Sequence, residues 1–138
     1  MPFVHVYYPE YQLNDKELKK VSNYIHQSLI AQFHIPEDDY FQLFLPYPSQ
    51  HFFYDSQYLL ENGEKRTDNM IYISITCGQG RTVEQKKKLY QSIAEGLHID
   101  LAISTNNIFI TLNETPVENW SFGQGIAQMV NQKEEQQK

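Results

Sequence analysis

Cysteine is close to absent from this sequence: Cys77 is the only one among 138 residues. That excludes an internal disulfide and the paired-cysteine spacing of a zinc site, so Cys77 reads as a small buried hydrophobe. No apolar run of about 18 residues is present to span a membrane. The start also lacks the basic and apolar regions of a signal peptide, and the chain reads as cytoplasmic. Cations are scarce too. Eleven Lys and Arg against 17 Asp and Glu give a formal charge of -6 and a pI near 5.3. Such a balance leaves no basic surface for nucleic acid, and a small anionic substrate would need a local cationic pocket. The five histidines show no i, i+4 pair with an intervening glutamate. None is assigned to catalysis, and no metal or cofactor is expected.

What is present is apolar and aromatic. Apolar residues make up 41% and aromatic residues 14%, enough to pack one domain over residues 1–138. Phe3 to Tyr8 is β-branched and aromatic and predicts a strand closed by Pro9. Asn14 then caps a helix, with Glu17 three residues on as in a capping box, and Leu18, Val21, Ile25 and Leu29 form its apolar face. Pro36 marks its end. Tyr40 to Leu45 predicts a second strand, stopped by Pro46 and Pro48, and strand, helix and strand make a right-handed βαβ unit. The polar stretch Asp55 to Asn69 contains the turn signal Asn62-Gly63 and reads as a connection. Ile71 to Thr76 predicts a third strand, Thr82 with Gln85 a second capped helix with inner face Leu89, Ile93 and Leu97, and Ile108 to Leu112 a fourth strand. Pro116 to Phe122 predicts a short extended piece. Glu84 is spaced to pair with Lys88.

Adding 68 to first-half positions lands on matching second-half positions without a gap, which marks an internal repeat. Asn14 falls on Thr82, Glu17 on Gln85, Ile25 on Ile93, Phe41 on Phe109, Pro48 on Pro116 and Phe52 on Trp120. Phe3 falls on Ile71 and Pro2 on Met70. The fold class is therefore α/β, in its α+β form: two tandem βαβ units making a four-stranded mixed sheet with two helices on one face. Repeat one spans about 2–58, the connection about 55–69, repeat two about 70–126 and a polar tail about 131–138.

Chemistry concentrates at the start, Met1-Pro2-Phe3. Within a chain a proline nitrogen is a tertiary amide with neither a proton nor a usable lone pair. If Met1 is removed, Pro2 becomes a free secondary amine, a base or a nucleophile. An α-amino group titrates at roughly 7.7 to 8, and apolar burial or a nearby cation lowers that value. The alternative is that Pro2 only starts an edge strand, where its missing N–H is harmless.

With these residues assembled, the chain resembles the tautomerase superfamily, built from tandem βαβ units with an amino-terminal proline as catalytic residue. The resemblance rests on Met1-Pro2-Phe3, on Gly80-Arg81-Thr82-Val83-Glu84-Gln85-Lys86 and on Asn119-Trp120-Ser121-Phe122-Gly123-Gln124-Gly125. It is strongest to the group related to malonate semialdehyde decarboxylase, whose aspartate before the second strand falls on Asp39. Where that group has a second arginine, this chain has Gln79. The resemblance implies a homotrimer working without a cofactor.

The reading that follows is a tautomerase of a small 2-keto acid, with Pro2 as general base and acid and Arg81 holding the substrate carboxylate with its fork of donors. Asp39 orients Pro2 or activates a water, or is a turn aspartate using its side chain locally. Gln79 donates one hydrogen bond to substrate or is a solvated loop residue. Trp120 and Phe122 wall the substrate pocket or, as the pairing of Trp120 with Phe52 suggests, pack. An alternative is a decarboxylase or hydratase of a 3-oxo or unsaturated acid such as malonate semialdehyde, and a further one is a non-catalytic trimeric binding protein.

Overall fold

A computed structural model describes residues 1–130; the polar tail at about 131–138 lies outside them. The elements are β1 (Phe3–Pro9), α1 (Asp15–Phe33), β2 (Gln42–Tyr47), β3 (Ile71–Gly78), α2 (Val83–Leu101) and β4 (Ile108–Thr115), with short 3-10 turns at Ser49–His51, Thr105–Asn107 and Val117–Asn119. The strands form one mixed sheet in the order β2-β1-β3-β4. The pairs β1–β2 and β3–β4 are parallel, and β1–β3 at the centre is antiparallel. Each parallel pair is closed by its own helix, so the sheet joins two βαβ units back to back.

Both helices start where their caps predict. The Asn14 side chain accepts the Glu17 N–H at 2.8 Å while the Glu17 carboxylate accepts the Asn14 N–H at 3.1 Å. Thr82 and Gln85 repeat this at 3.1 Å and 2.9 Å. Each helix is 19 residues long and ends on a residue in the left-handed conformation, His34 at φ 56° and Ala102 at φ 55°. These caps again lie 68 apart, as do the 3-10 turns Ser49–His51 and Val117–Asn119. Thr82→Ala removes one reciprocal cap and should cost about 1 kcal/mol, read as a lower urea midpoint with an unchanged slope.

The core is a single layer between the helices and one sheet face. Val4, Val6 and Tyr8 from β1, Ile71, Ile73, Ile75 and Cys77 from β3, Val21, Ile25 and Leu29 from α1, and Leu89, Ile93 and Leu97 from α2 are all buried. The strand residues alternate because successive side chains leave a strand on opposite faces. The other face carries Phe3, His5, Tyr7, Tyr72 and Phe109, half-buried to exposed, in a row of ring contacts 4.9 to 6.2 Å between centroids.

Several expectations need correction. Pro46 lies inside β2 and does not stop it; β2 is an edge strand, so a residue without an N–H leaves no interior ladder bond unmade. Conversely, Pro2 leads into β1, which is interior and not an edge strand. The gapless offset of 68 fails in the first strand of each repeat: Phe3 faces the open side whereas Ile71 is fully buried, and Val4 is buried whereas Tyr72 is not. A slip of one residue inverts which side chains face the core, so β1 and β3 are equivalent strands out of step by one. β3 and β4 run on to Gly78 and Thr115, beyond the predicted Thr76 and Leu112, and the Pro116 to Phe122 piece contains a 3-10 turn. Glu84 meets Lys87 at 3.9 Å, not Lys88, using the i+3 row of an exposed helix face.

Candidate active site

The residues singled out at the chain start and ahead of α2 meet at one end of the sheet. β1 and β3 are antiparallel neighbours, with Phe3 opposite Thr76, so the start of β1 lies beside the end of β3. There Met1, Gly78, Gln79 and Arg81 line a cleft of about 390 Å³, closed on the far side by Thr115 to Glu118 and by Met129. The Met1 side chain lies against Gly78: a Cβ added at Gly78 would come within 2.8 Å of the Met1 methyl carbon. That contact is with the end of a flexible side chain, so it marks where the Met1 side chain rests on the end of β3.

Asp39 is not among the residues lining this cleft, but it meets the Met1 amine from the α1–β2 loop. Its Oδ2 is 3.0 Å from the amine of Met1, and the Asp39 side chain is only 15% exposed. Its other oxygen, Oδ1, is buried without a hydrogen-bond partner. Pro2 is buried directly behind that amine, so loss of Met1 would move the chain's free amine onto the Pro2 nitrogen.

Arg81 is half-buried and held by backbone. Its Nη1 donates to the Gly78 carbonyl at 3.3 Å and its Nη2 to the Phe33 carbonyl at 3.2 Å, while the guanidinium carbon lies 5.1 Å from the centre of the Phe33 ring. The last turn of α1 contains no basic residue. Arg81 supplies that cation from the other half of the chain, and Gln85 adds a bond to the Gln32 carbonyl at 3.0 Å, so orphan carbonyls at the α1 terminus are satisfied by residues at the start of α2. A guanidinium has five N–H groups. Two are used here, leaving donors for an anion in the cleft.

The loop that carries Gln79 and Arg81 is braced from β4. Lys86 pairs with Glu114, and this hydrogen bond holds the Glu114 carboxyl below its usual range, helped by the Gly80 backbone N–H and by the Arg81 charge. Lys86 is raised in turn by the same bond. Cys77 lies beneath, its thiol pushed up by burial and drawn back by Arg81. Gly80, at φ 112°, takes a backbone conformation that side chains other than glycine's resist.

Trp120 and Phe122 do not line the cleft. They stack on each other at 5.6 Å, the Trp120 indole N–H donates to Thr115 Oγ1 at 2.7 Å, and Phe122 meets Phe41 edge-on at 5.8 Å. Both stay half-buried outside the core. Trp120 thus reaches the cleft wall through Thr115. Sequence reasoning missed the cleft wall Thr115 to Glu118, for which Pro116, equivalent to Pro48 in the repeat, was the sole signal. Among the described residues no group of three His, Cys, Asp or Glu is placed to hold a metal.

Comparison with known proteins bears on this arrangement. A family model described as tautomerase enzyme matches residues 39–123. The chain is 45% identical over 130 residues to the probable tautomerase YusQ of Bacillus subtilis (strain 168), covering 94% of this chain and 99% of that one. Among solved structures, FG41 malonate semialdehyde decarboxylase inhibited by 3-bromopropiolate superposes with a TM-score of 0.85 at 23% identity, over 95% of this chain and 96% of that one. A fused 4-OT described as a wild type asymmetric trimer superposes with a TM-score of 0.70 at 17% identity, over 94% and 98%.

Proposed function

This chain belongs to the tautomerase enzyme family, and from that membership we propose that it interconverts the keto and enol forms of a small 2-keto acid. Pro2, freed by removal of Met1, takes the proton from the carbon next to the carbonyl and returns it to the oxygen to give the enol, and runs the same transfer backwards in ketonisation. Arg81 holds the substrate carboxylate, and Gln79 contributes one neutral donor. The observation that carries this reading is that Met1, at the start of the chain, and Arg81, from the other half of the repeat, line one cleft. The test is ketonisation of enol phenylpyruvate by protein whose mass confirms loss of Met1. A parent chain without turnover overturns the reading. The open aromatic face from Phe3 to Phe109 is apolar and ordered by ring contacts, which supports burial between the subunits of a homotrimer.

A second reading is favoured by one contact, that of Asp39 with the Met1 amine at 3.0 Å, next to which the Pro2 nitrogen becomes the free amine once Met1 is gone. The contact pairs a carboxylate with an ammonium, and an ammonium is an acid and not a base. A charged Pro2 beside an aspartate that can activate water suits a decarboxylase or hydratase of a 3-oxo acid. The single arginine opposes it, since Gln79 offers no charge to a departing carboxylate. Asp39→Asn separates the two. Under the tautomerase reading ketonisation persists within about tenfold, whereas under the second reading release of carbon dioxide from malonate semialdehyde falls by about a hundredfold or more.

A further inference from the structure

Helix α1 buries three polar side chains, Ser28 among them, and the two that concern Asp39 are Ser22 and His26. They are four residues apart and so share one face. Both end on the loop that carries Asp39. His26 Nε2 lies 2.7 Å from the Glu37 carbonyl oxygen, which can only accept, so this ring nitrogen carries the proton and donates. The His26 ring also sits 4.3 Å from the Tyr40 ring, tilted by 37°, and the Tyr40 hydroxyl is hydrogen-bonded to Ser22 Oγ. Thus the residue two before Asp39 and the residue one after it are both tied to one face of α1. Between them the Asp39 N–H closes a turn on the Pro36 carbonyl at 3.1 Å.

Asp39 needs such support. One of its oxygens is buried without a hydrogen-bond partner, and an unsatisfied buried acceptor favours any rearrangement that returns it to water. The loop would relieve that cost by turning outward, away from the amine, unless its backbone were held on both sides.

We infer that His26 is a positioning residue, which through the Glu37 carbonyl and the Tyr40 ring holds the Asp39 carboxylate against the amine at the start of the chain. The inference rests on the reading that Met1 is removed, that the Pro2 amine then faces Asp39 in place of the Met1 amine, and that both belong to the reacting centre. It differs from a histidine that merely satisfies the core, because its effect runs through Asp39 and disappears when Asp39 has no charge.

The experiment is a titration of the Pro2 amine by nitrogen-15 NMR, in protein whose mass confirms loss of Met1, for the parent, Asp39→Asn, His26→Ala and the double variant. Asp39→Asn should lower the midpoint, since it takes away an anion beside the amine. His26→Ala should lower it in the same direction by at least half as much. The double variant should move no further than Asp39→Asn alone, because two changes acting through one carboxylate do not add. His26→Gln, whose amide can donate to the same carbonyl, should restore most of the parent midpoint. A midpoint unmoved by His26→Ala, or a shift in the double variant equal to the sum of the singles, overturns the inference. Should His26→Ala not fold, His26→Phe, which keeps a ring against Tyr40 but donates nothing to the Glu37 carbonyl, carries the same comparison. Turnover of enol phenylpyruvate in the same samples bears on the proposed function alone, so an inactive parent and an unmoved midpoint are separate results.

Discussion

Pro2→Ala should lower kcat/KM for enol phenylpyruvate by about a thousandfold, within the range that a positioned acid–base group contributes. Alanine at the chain start still presents a primary amine, so the loss measures the placement and basicity of the ring nitrogen more than the presence of nitrogen. Retention of Met1 should have as large an effect by a different route. The Pro2 nitrogen is then an amide without a usable lone pair, while the Met1 amine sits against Asp39 at 3.0 Å and its side chain packs on Gly78. Two preparations of one sequence, differing in mass by that methionine, should therefore differ in activity as strongly as parent and variant. Stability should separate the effects: Pro2 precedes the β1 ladder, so its replacement should change the unfolding free energy by no more than about 1 kcal/mol. Equal turnover by parent and Pro2→Ala would remove the proline from the chemistry.

Arg81→Ala should cost about a hundredfold in kcat/KM, expressed mainly in KM, because a partly buried cation that binds a carboxylate through two hydrogen bonds is worth several kcal/mol. The same change should also destabilise the fold. Arg81 bonds the Phe33 carbonyl at the end of α1 and lies over the Phe33 ring, and loss of a cation and donor at a helix C-terminus costs about 0.3–1 kcal/mol. Arg81→Lys distinguishes the two roles. A lysine keeps the charge near the α1 terminus but not the planar fork, so stability should recover more fully than KM. Steady-state kinetics and urea unfolding on the same three proteins check this. If KM is unchanged in Arg81→Ala while stability falls, Arg81 is a helix cap and not a substrate clamp.

Much of this architecture is legible in the residues. The capping boxes Asn14–Glu17 and Thr82–Gln85 announce two helices whose starts the structure reproduces to the residue, because a cap is a bargain struck within four residues. Asn62-Gly63 predicts a tight turn, and both residues have positive φ. Less was legible where a strand's position in the sheet decides. Pro46 reads as a stop when strands are considered singly, yet it is harmless in an edge strand. The histidines show what spacing leaves out: His26 is buried and bonds the Glu37 carbonyl in the loop of Asp39, a contact that no local pattern announces.

From the sequence by itself come the elements, their caps, the repeat that pairs them and the residue types able to do acid–base work, since each depends on neighbours a few positions away or on a pattern repeated at a fixed offset. The tertiary structure alone decided that Met1, Asp39 and Arg81 meet at one end of the sheet, that Arg81 caps a helix from the opposite half, and that β1 and β3 face out of step. These follow from the antiparallel pairing at the centre of the sheet and from the number of residues in each turn, and a difference of one residue there exchanges core for surface without leaving a trace in composition or periodicity.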